Sequence, residues 1–330
     1  MIQLSPPPSI SVWLSRPVSF AGSASASARL ARSSQRSNGA WNGGWAKTNC
    51  ARSPAAAASE PVRMPERVEV PGAVPCDYTL VEAGKAQVVP GGVIDEALLS
   101  IYVNGQSLAT MMCSPLQLEA LAIGYLYNEG IIASASDIGH LQLNQASSVA
   151  DVILRRGEAP LPRRMILTSG CGGGMTGQEL SASQPALPSD FAACPELILR
   201  LMRGLQGAAK LYQAVRGVHT AALGDASGIL VSAEDVGRHN AVDKVAGAAL
   251  LAGIDTRERI LLCSGRISSE MLGKARRMGV PIVVSRTAPT SISLALARAW
   301  RICIVGYARQ SSLRVYSHPW RLSLYAPTPN

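Results

Sequence analysis

The sequence predicts an α/β protein, with a smaller N-terminal α+β region over residues 66–170 and a C-terminal α/β domain over residues 194–325. Three observations predict it. From residue 219 onward, short apolar runs alternate with helical patterns: strands at Arg259–Cys263, Pro281–Ser285 and Ile302–Val305 are separated by helices at Ser268–Met278 and Thr290–Trp300. That alternation is the mark of βαβ units and a parallel or mostly parallel sheet. Upstream, strand and hairpin signals come before a single helix. The composition, 47% hydrophobic and 16% charged over 330 residues, is that of a globular chain long enough for one or two cores.

Along the chain, residues 1–65 come first as a low-complexity tail of Ala, Ser, Pro, Gly and Arg that ends near Pro54-Ala55-Ala56-Ala57-Ala58. Such a segment buries too little apolar surface to offset its ordering entropy, so it is predicted to be disordered. Its Arg- and Ser-rich, acid-free composition resembles a transit peptide. A flexible tail, or a start placed too far upstream with Met64 as the true beginning, is the plainer explanation. Ala97–Val103 reads as a strand, and Asn104-Gly105 as a tight turn into a second strand at Leu108–Met112. Ser114-Pro115-Leu116-Gln117 then offers a capping Ser, a Pro at the first helical position and a Gln at the third. The helix is expected to run to Glu129 and stop at Gly130, with Leu116, Ala120, Ile123 and Tyr127 as its buried face. Val149–Leu154 and Arg164–Leu167 read as further strands. Residues 171–193 are expected to be a mobile Gly/Cys loop, after which Pro195 opens a helix toward Val215. Ala221–Leu223 and Gly228–Ser232 form a hairpin, and Ala241–Leu251 is helical.

Charge and cysteines exclude several function classes. The net charge of +9 suggests nucleic acid until it is located: residues 1–59 hold six basic residues and no Asp or Glu. The remainder is ordinary, and two Phe give no aromatic interleaving for stacking bases, so no nucleic acid partner is expected. The N-terminus has no apolar run long enough for a membrane span. Seven scattered cysteines without a Cys-x-x-Cys pair argue against a locally built zinc site and for free thiols in a reducing compartment. No metal site is expected. The stretch Gly172 to Gln178 lacks the Lys-Ser/Thr of a nucleotide P-loop, Gly177 stands six residues after Cys171 where a cysteine phosphatase needs Arg, and no Gly-x-Ser-x-Gly elbow appears.

Four polar constellations remain. Cys171 stands in Ser169-Gly170-Cys171-Gly172-Gly173-Gly174, just after a strand. Glycine removes steric cover and lets backbone N–H groups turn toward an anion, as a reactive thiolate requires; an incidental turn is the competing explanation. Glu234-Asp235-Val236-Gly237-Arg238-His239-Asn240-Ala241-Val242-Asp243-Lys244 is the densest polar run. It is either a site or a solvated loop in which Asp235 or Asn240 caps a helix. His239 within it is a base, a hydrogen-bonding group or a phosphate contact. Cys263-Ser264-Gly265-Arg266-Ile267-Ser268-Ser269-Glu270 and Val284-Ser285-Arg286-Thr287-Ala288-Pro289 each place an arginine between strand and helix, the arrangement of anion sites. Capping by Ser268 or Ser269 is the alternative for the former.

At these residues the sequence resembles the formate dehydrogenase accessory sulfurtransferases, the FdhD family, from about Ile94 to Leu322. The run Glu234 to Lys244 and the block Ser264 to Met271 carry the likeness most specifically. Tyr102-Val103-Asn104-Gly105 and Leu126-Tyr127-Asn128-Glu129-Gly130-Ile131-Ile132 add to it. The resemblance implies a three-layer α/β C-terminal domain of the cytidine-deaminase-like kind, without deaminase chemistry because the zinc-ligand spacing is missing. It implies a cytoplasmic sulfurtransferase, a homodimer, that accepts sulfane sulfur from a cysteine desulfurase as a persulfide on Cys171. The acceptor is molybdenum (or tungsten) bis(molybdopterin guanine dinucleotide), the client formate dehydrogenase. Val284, Ser285, Arg286, Thr287, Ala288 and Pro289 match the family's cofactor-binding stretch, with Arg266 and His239 as further contacts. A non-catalytic cofactor-binding chaperone is the alternative. Some members carry a second cysteine three residues after the first; here it is Gly174, so Cys171 works alone unless Cys113 or Cys263 approaches in the fold.

Overall fold

The computed structural model describes residues 69–144, 148–156, 165–167 and 184–324. Cys171 and the glycines around it lie outside the described residues. β1 (Ala73–Pro75), β2 (Tyr78–Glu82), β3 (Lys85–Val89) and β4 (Gly92–Ile94) make two small antiparallel ribbons, β1 with β4 and β2 with β3. β5 (Ala97–Val103) and β6 (Gln106–Cys113) form the predicted hairpin. Its two turn residues, Asn104 (φ 50°) and Gly105 (φ 77°), both adopt the left-handed conformation that matches strand twist, which is why Asn-Gly is favoured here. α1 (Leu118–Asn128) follows, then β7 (Ile138–Asn144), β8 (Val149–Leu154) and β9 (Met165–Leu167). The resulting sheet has the order β7-β8-β5-β6-β9.

The C-terminal part runs α2 (Pro195–Ala208), α3 (Lys210–Val215), β10 (His219–Asp225), β11 (Gly228–Asp235), α4 (Arg238–Leu251), β12 (Ile260–Cys263), α5 (Ser269–Arg277), β13 (Ile282–Ser285), α6 (Ser291–Trp300), β14 (Cys303–Arg309) and β15 (Ser312–Val315). The sheet order is β11-β10-β12-β13-β14-β15. Only β12, β13 and β14 run parallel; β10, β11 and β15 are antiparallel to their neighbours. The sheet is therefore mixed rather than mostly parallel. The two βαβ crossovers require parallel strands, whereas the tight connections at β10–β11 and β14–β15 can only return antiparallel. One face of this sheet packs on α4, α5 and α6, and the other on α2 through Ile198, Leu201, Met202 and Leu205. This is the expected three-layer α/β arrangement.

Two sequence expectations about α1 change. Its predicted one-sided burial gives way to burial nearly all round, because it is pressed between its own sheet and α4. The expected Ser114 cap is absent: the helix starts after Gln117, in left-handed conformation, and Ser114 is engaged elsewhere. Glu129 and Gly130 end the helix as predicted, with Gly130 at φ 77°.

Contact between α1 and α4 is backbone to backbone. A Cβ on Gly124 would run into the carbonyl of Asp243, and one on Gly247 would run into the carbonyl of Ala120. Glycine costs helix propensity, so its presence at both sides of one crossing marks a distance no other side chain permits. Gly124→Ala and Gly247→Ala should each lower stability by roughly 1–3 kcal/mol or more. Gly207→Ala, in a helix with open space at the Cβ position, should be neutral or slightly stabilising. Thermal or urea unfolding of the three variants checks this.

Candidate functional site

The polar run Glu234 to Lys244 is neither a solvated loop nor an open site. Asp235 ends β11 and is fully buried, as is Lys244 one turn and a half into α4; their charged groups meet at 2.6 Å. Asp235 Oδ1 also accepts the N–H of Gly237 at 2.7 Å and Asn240 Nδ2 at 2.9 Å, and Oδ2 accepts the N–H of Ser114 at 3.1 Å. Lys244 Nζ donates further to the carbonyls of Ser114 (3.0 Å) and Glu234 (3.2 Å). Ser114 Oγ takes the N–H of Val236 at 3.1 Å, and Asn240 donates to the carbonyl of Met112 at 2.7 Å. Beside this lies a second buried pair: Lys274 reaches both oxygens of Asp243 at 2.7 Å, with Asn128 adding a bond of 2.7 Å from α1. Both ion pairs thus join the two sheets through the end of β6, α1 and α4.

At the carboxyl ends of the parallel strands, a cleft of about 470 Å³ opens between the sheet and α2–α3. The size and position are those of a ligand site in such a sheet. Its polar side comes from Ser264 after β12, Arg286 and Thr287 after β13, and Arg309 at the end of β14. Its other side presents Leu205, Ala209, Tyr212 and Arg216, the guanidinium of Arg216 lying 5.0 Å from the ring centre of Tyr212. Arg309 Nε donates to the backbone carbonyl of Arg286 at 3.0 Å, which anchors the Arg309 guanidinium beside the Arg286 loop. At the base, His219 Nδ1 faces Ser264 Oγ at 3.4 Å, and Ser264 Oγ accepts the N–H of Thr220 at 3.0 Å. Burial, then Arg238, holds the His219 imidazole below its ordinary pKa. Cationic groups beside an aromatic and apolar wall suit an anion carrying a flat ring, such as a nucleotide.

Of the predicted cofactor-contacting residues, Arg286 and Thr287 line the cleft. Val284 and Ser285 are buried beneath it: Ser285 Oγ donates to the carbonyl of Gly265 at 2.6 Å and accepts the N–H of Thr287 at 2.9 Å, so it shapes the loop. Ala288 and Pro289 pair through the backbone with Ile267. Arg266 is exposed and outside the cleft lining, though its charge reaches His219. His239 is buried away from the cleft, its Nε2 3.3 Å from Glu270 Oε2 but not aligned for a hydrogen bond. Burial first, then Lys274 and Arg238, pushes His239 down to about 3. Ser268 caps α5, receiving the N–H of Met271 at 3.4 Å, which is the alternative to an anion site for that stretch. Arg216, Tyr212 and Arg309 escaped sequence reading. Tyr212 and Arg216 share α3 and its C-terminal cap while Arg309 ends β14, and the only available signal was the Tyr212/Arg216 spacing of one helical turn.

Neither thiol considered as a second partner for Cys171 is reactive. Cys113 and Cys263 are sealed in the two cores, and burial pushes each up to about 12. Cys303 is in the same condition. Cys76 and Cys194 are exposed, the latter preceding α2 without capping it. Among the described residues no group of three His, Cys, Asp or Glu could hold a metal ion, and no helix is long and apolar enough to cross a membrane.

The chain is thus a three-layer α/β domain with a cationic cleft at its strand ends, welded to a second sheet through buried ion pairs. Comparison with known proteins then identifies the lineage: residues 94–323 match the FdhD/NarQ family, and the chain belongs to it. A Bacillus subtilis (strain 168) protein named Sulfur carrier protein FdhD is 34% identical over 252 residues, 74% of this chain and 96% of that one. Its Staphylococcus aureus (strain MRSA252) namesake is 35% identical over 246 residues, 73% of this chain and 93% of that one. A crystal structure described as a formate dehydrogenase accessory protein from Desulfotalea psychrophila superposes with a TM-score of 0.65 at 27% identity, covering 76% of this chain and all of the other.

Two outcomes are expected. The unfolded chain protonates the His239 imidazole below pH 6.5 and the folded one only near 3, so acid favours unfolding across that window. This one group should cost roughly 2 kcal/mol of stability between pH 7 and pH 5, and His239→Gln should remove that share of the loss, as read by urea unfolding at both pH values. Iodoacetamide at pH 8 should label Cys76 and Cys194 in the native protein and reach Cys113, Cys263 and Cys303 only on unfolding, as mapped by peptide mass.

Proposed function

We propose that this chain is a sulfur carrier serving formate dehydrogenase, working in the cytoplasm as a homodimer. Family membership supports the carrier role, together with relatives that bear that name and a structural neighbour described as a formate dehydrogenase accessory protein. In the finer reading, Cys171 accepts sulfur from a cysteine desulfurase. The Cys171 thiolate attacks the outer sulfur of the donor's persulfide; a new S–S bond forms, the donor's S–S bond breaks, and the donor thiolate leaves. No oxidant is needed. The Cys171 persulfide would then present its outer sulfur to molybdenum or tungsten bis(molybdopterin guanine dinucleotide), here a substrate rather than a resident cofactor.

The observation that carries the acceptor half is the cleft at the strand ends. Its volume suits one nucleotide arm, not the whole bis-pterin group, and Arg286, Arg309 and Arg216 supply the charge that a diphosphate needs. His219, kept neutral, and Thr287 offer hydrogen bonds to the same arm. The carrier half rests on the family resemblance, which puts the sulfur on Cys171 in its glycine run; Cys113, Cys263 and Cys303 are buried thiols that do not ionise near neutral pH.

Incubation with a cysteine desulfurase and cysteine should add one sulfur mass to the peptide containing Cys171. Cys171→Ala should abolish that gain and the activation of formate dehydrogenase while sparing nucleotide binding. Full activation by Cys171→Ala would instead favour a cofactor-binding chaperone. Arg286→Ala combined with Arg309→Ala should weaken GDP binding about 100-fold, measured by calorimetry.

A further inference from the structure

The first turn of α3, in the wall of the cleft, is held by one side chain from a neighbouring strand. Glu234 Oε2 accepts the N–H of Leu211 at 2.8 Å, and Oε1 accepts the N–H of Tyr212 at 2.9 Å. Thr220 Oγ1 adds a longer bond to Oε1 at 3.5 Å. Leu211 and Tyr212 belong to the first turn of α3, where N–H groups have no partner within the helix. Ala209, which precedes α3, offers no side-chain cap. Glu234 therefore does from a neighbouring strand what a capping Asp does locally, and its negative charge faces the positive end of the helix.

α3 needs that help. Six residues are too few to hold helical structure in water by themselves. The helix ends at Arg216 (φ 63°) and Gly217 (φ 70°), so no continuing turn supports it from the other side. Leu211 is buried, but Lys210, Gln213 and Arg216 are exposed and Tyr212, Ala214 and Val215 are partly so. Glu234, by contrast, is rigidly placed. Its carbonyl receives Lys244 Nζ, and its chain neighbour Asp235 is the centre of the buried ion-pair network.

We infer that Glu234 is a positioning residue for the cleft: its carboxylate fixes α3 and thereby aims Tyr212 and Arg216 at a bound purine nucleotide, without itself touching the ligand. This deepens, and rests on, the reading of the cleft as a nucleotide site. Tyr212 and Arg216 present a flat ring and a flat cation, surfaces on which a purine base stacks. Glu234 is absent from the lining, and both its oxygens are committed to α3. The first residue of the long polar run thus acts on the ligand through a helix that the sequence places more than twenty residues earlier.

The test uses the full chain with GDP as probe, at a temperature where every variant is folded by circular dichroism. Glu234→Ala and Tyr212→Ala should each weaken GDP binding about tenfold. The double variant should be clearly less weakened than the product of the two single effects, because the share of Glu234's effect that runs through Tyr212 is already lost and only the share through Arg216 remains. Glu234→Gln, which keeps acceptor oxygen but loses the charge, should fall between wild type and Glu234→Ala, and stands in if Glu234→Ala does not fold. A general loss of stability would lower the melting temperature without this non-additivity. Wild-type affinity in the folded Glu234 variant, or effects that multiply in the double variant, would overturn the inference alone. No GDP binding by the wild-type protein would overturn both it and the nucleotide reading of the cleft.

Discussion

A carboxylate and an ammonium removed from water, Asp235 and Lys244, determine how the rest of this molecule fits together. Withdrawing such ions from solvent costs several kcal/mol each, and mutual attraction offsets the cost only when the remaining donors and acceptors are also matched. Here the matching extends to backbone groups of Ser114 and Glu234 and to the side chain of Asn240. Those groups come from the end of β6, the end of β11 and the start of α4. Only one placement of the N-terminal sheet on the C-terminal domain satisfies all of them. The pair therefore adds little net stability but strongly disfavours every other docking of the two parts. The glycine crossing of α1 on α4 acts in the same direction, since two backbones in contact leave no room for sliding.

From this fixed centre, chemistry is distributed by solvent access. The strand ends β12 to β14 open outward and collect arginines, where partial exposure keeps charge cheap to maintain. One layer inward, the same low-dielectric surroundings keep His239 unprotonated and three thiols protonated. A protein that handles sulfur benefits from this separation. Buried cysteines that cannot form thiolates do not compete for the cargo.

Much of the architecture was legible in the sequence because it is written in local signals. Asn104-Gly105 dictates a turn by its φ preferences, Pro195 opens a helix, Ser268 caps one, and the strand–helix alternation after residue 259 recurs in the fold almost residue for residue. The candidate site was legible in part. Arg286 and Thr287 stood out because a polar loop after a parallel strand is a site by topology alone. Tyr212, Arg216 and Arg309 did not, since each is an ordinary surface residue until its element is folded against the others. Ser114 misled for the opposite reason: Ser-Pro before an apolar run is a good capping signal, but its hydroxyl accepts the distant N–H of Val236 instead.

By itself the sequence determined the Asn104-Gly105 hairpin, the strand–helix alternation after residue 259 and the family, whose likeness implied the three layers, because propensity, turn chemistry and motif are properties of neighbouring residues. It did not show β1 to β4 or β15, nor that the helix expected from Pro195 toward Val215 is two, α2 and α3. Tertiary structure alone decided that the densest polar run is an internal bolt, that the sheet is mixed, and that α1 is buried on all sides. It also decided which residues share a cleft. Each of these depends on groups more than a hundred residues apart or on several separate elements, and on the desolvation that follows when they are brought together. No pattern within a short stretch of chain carries that information.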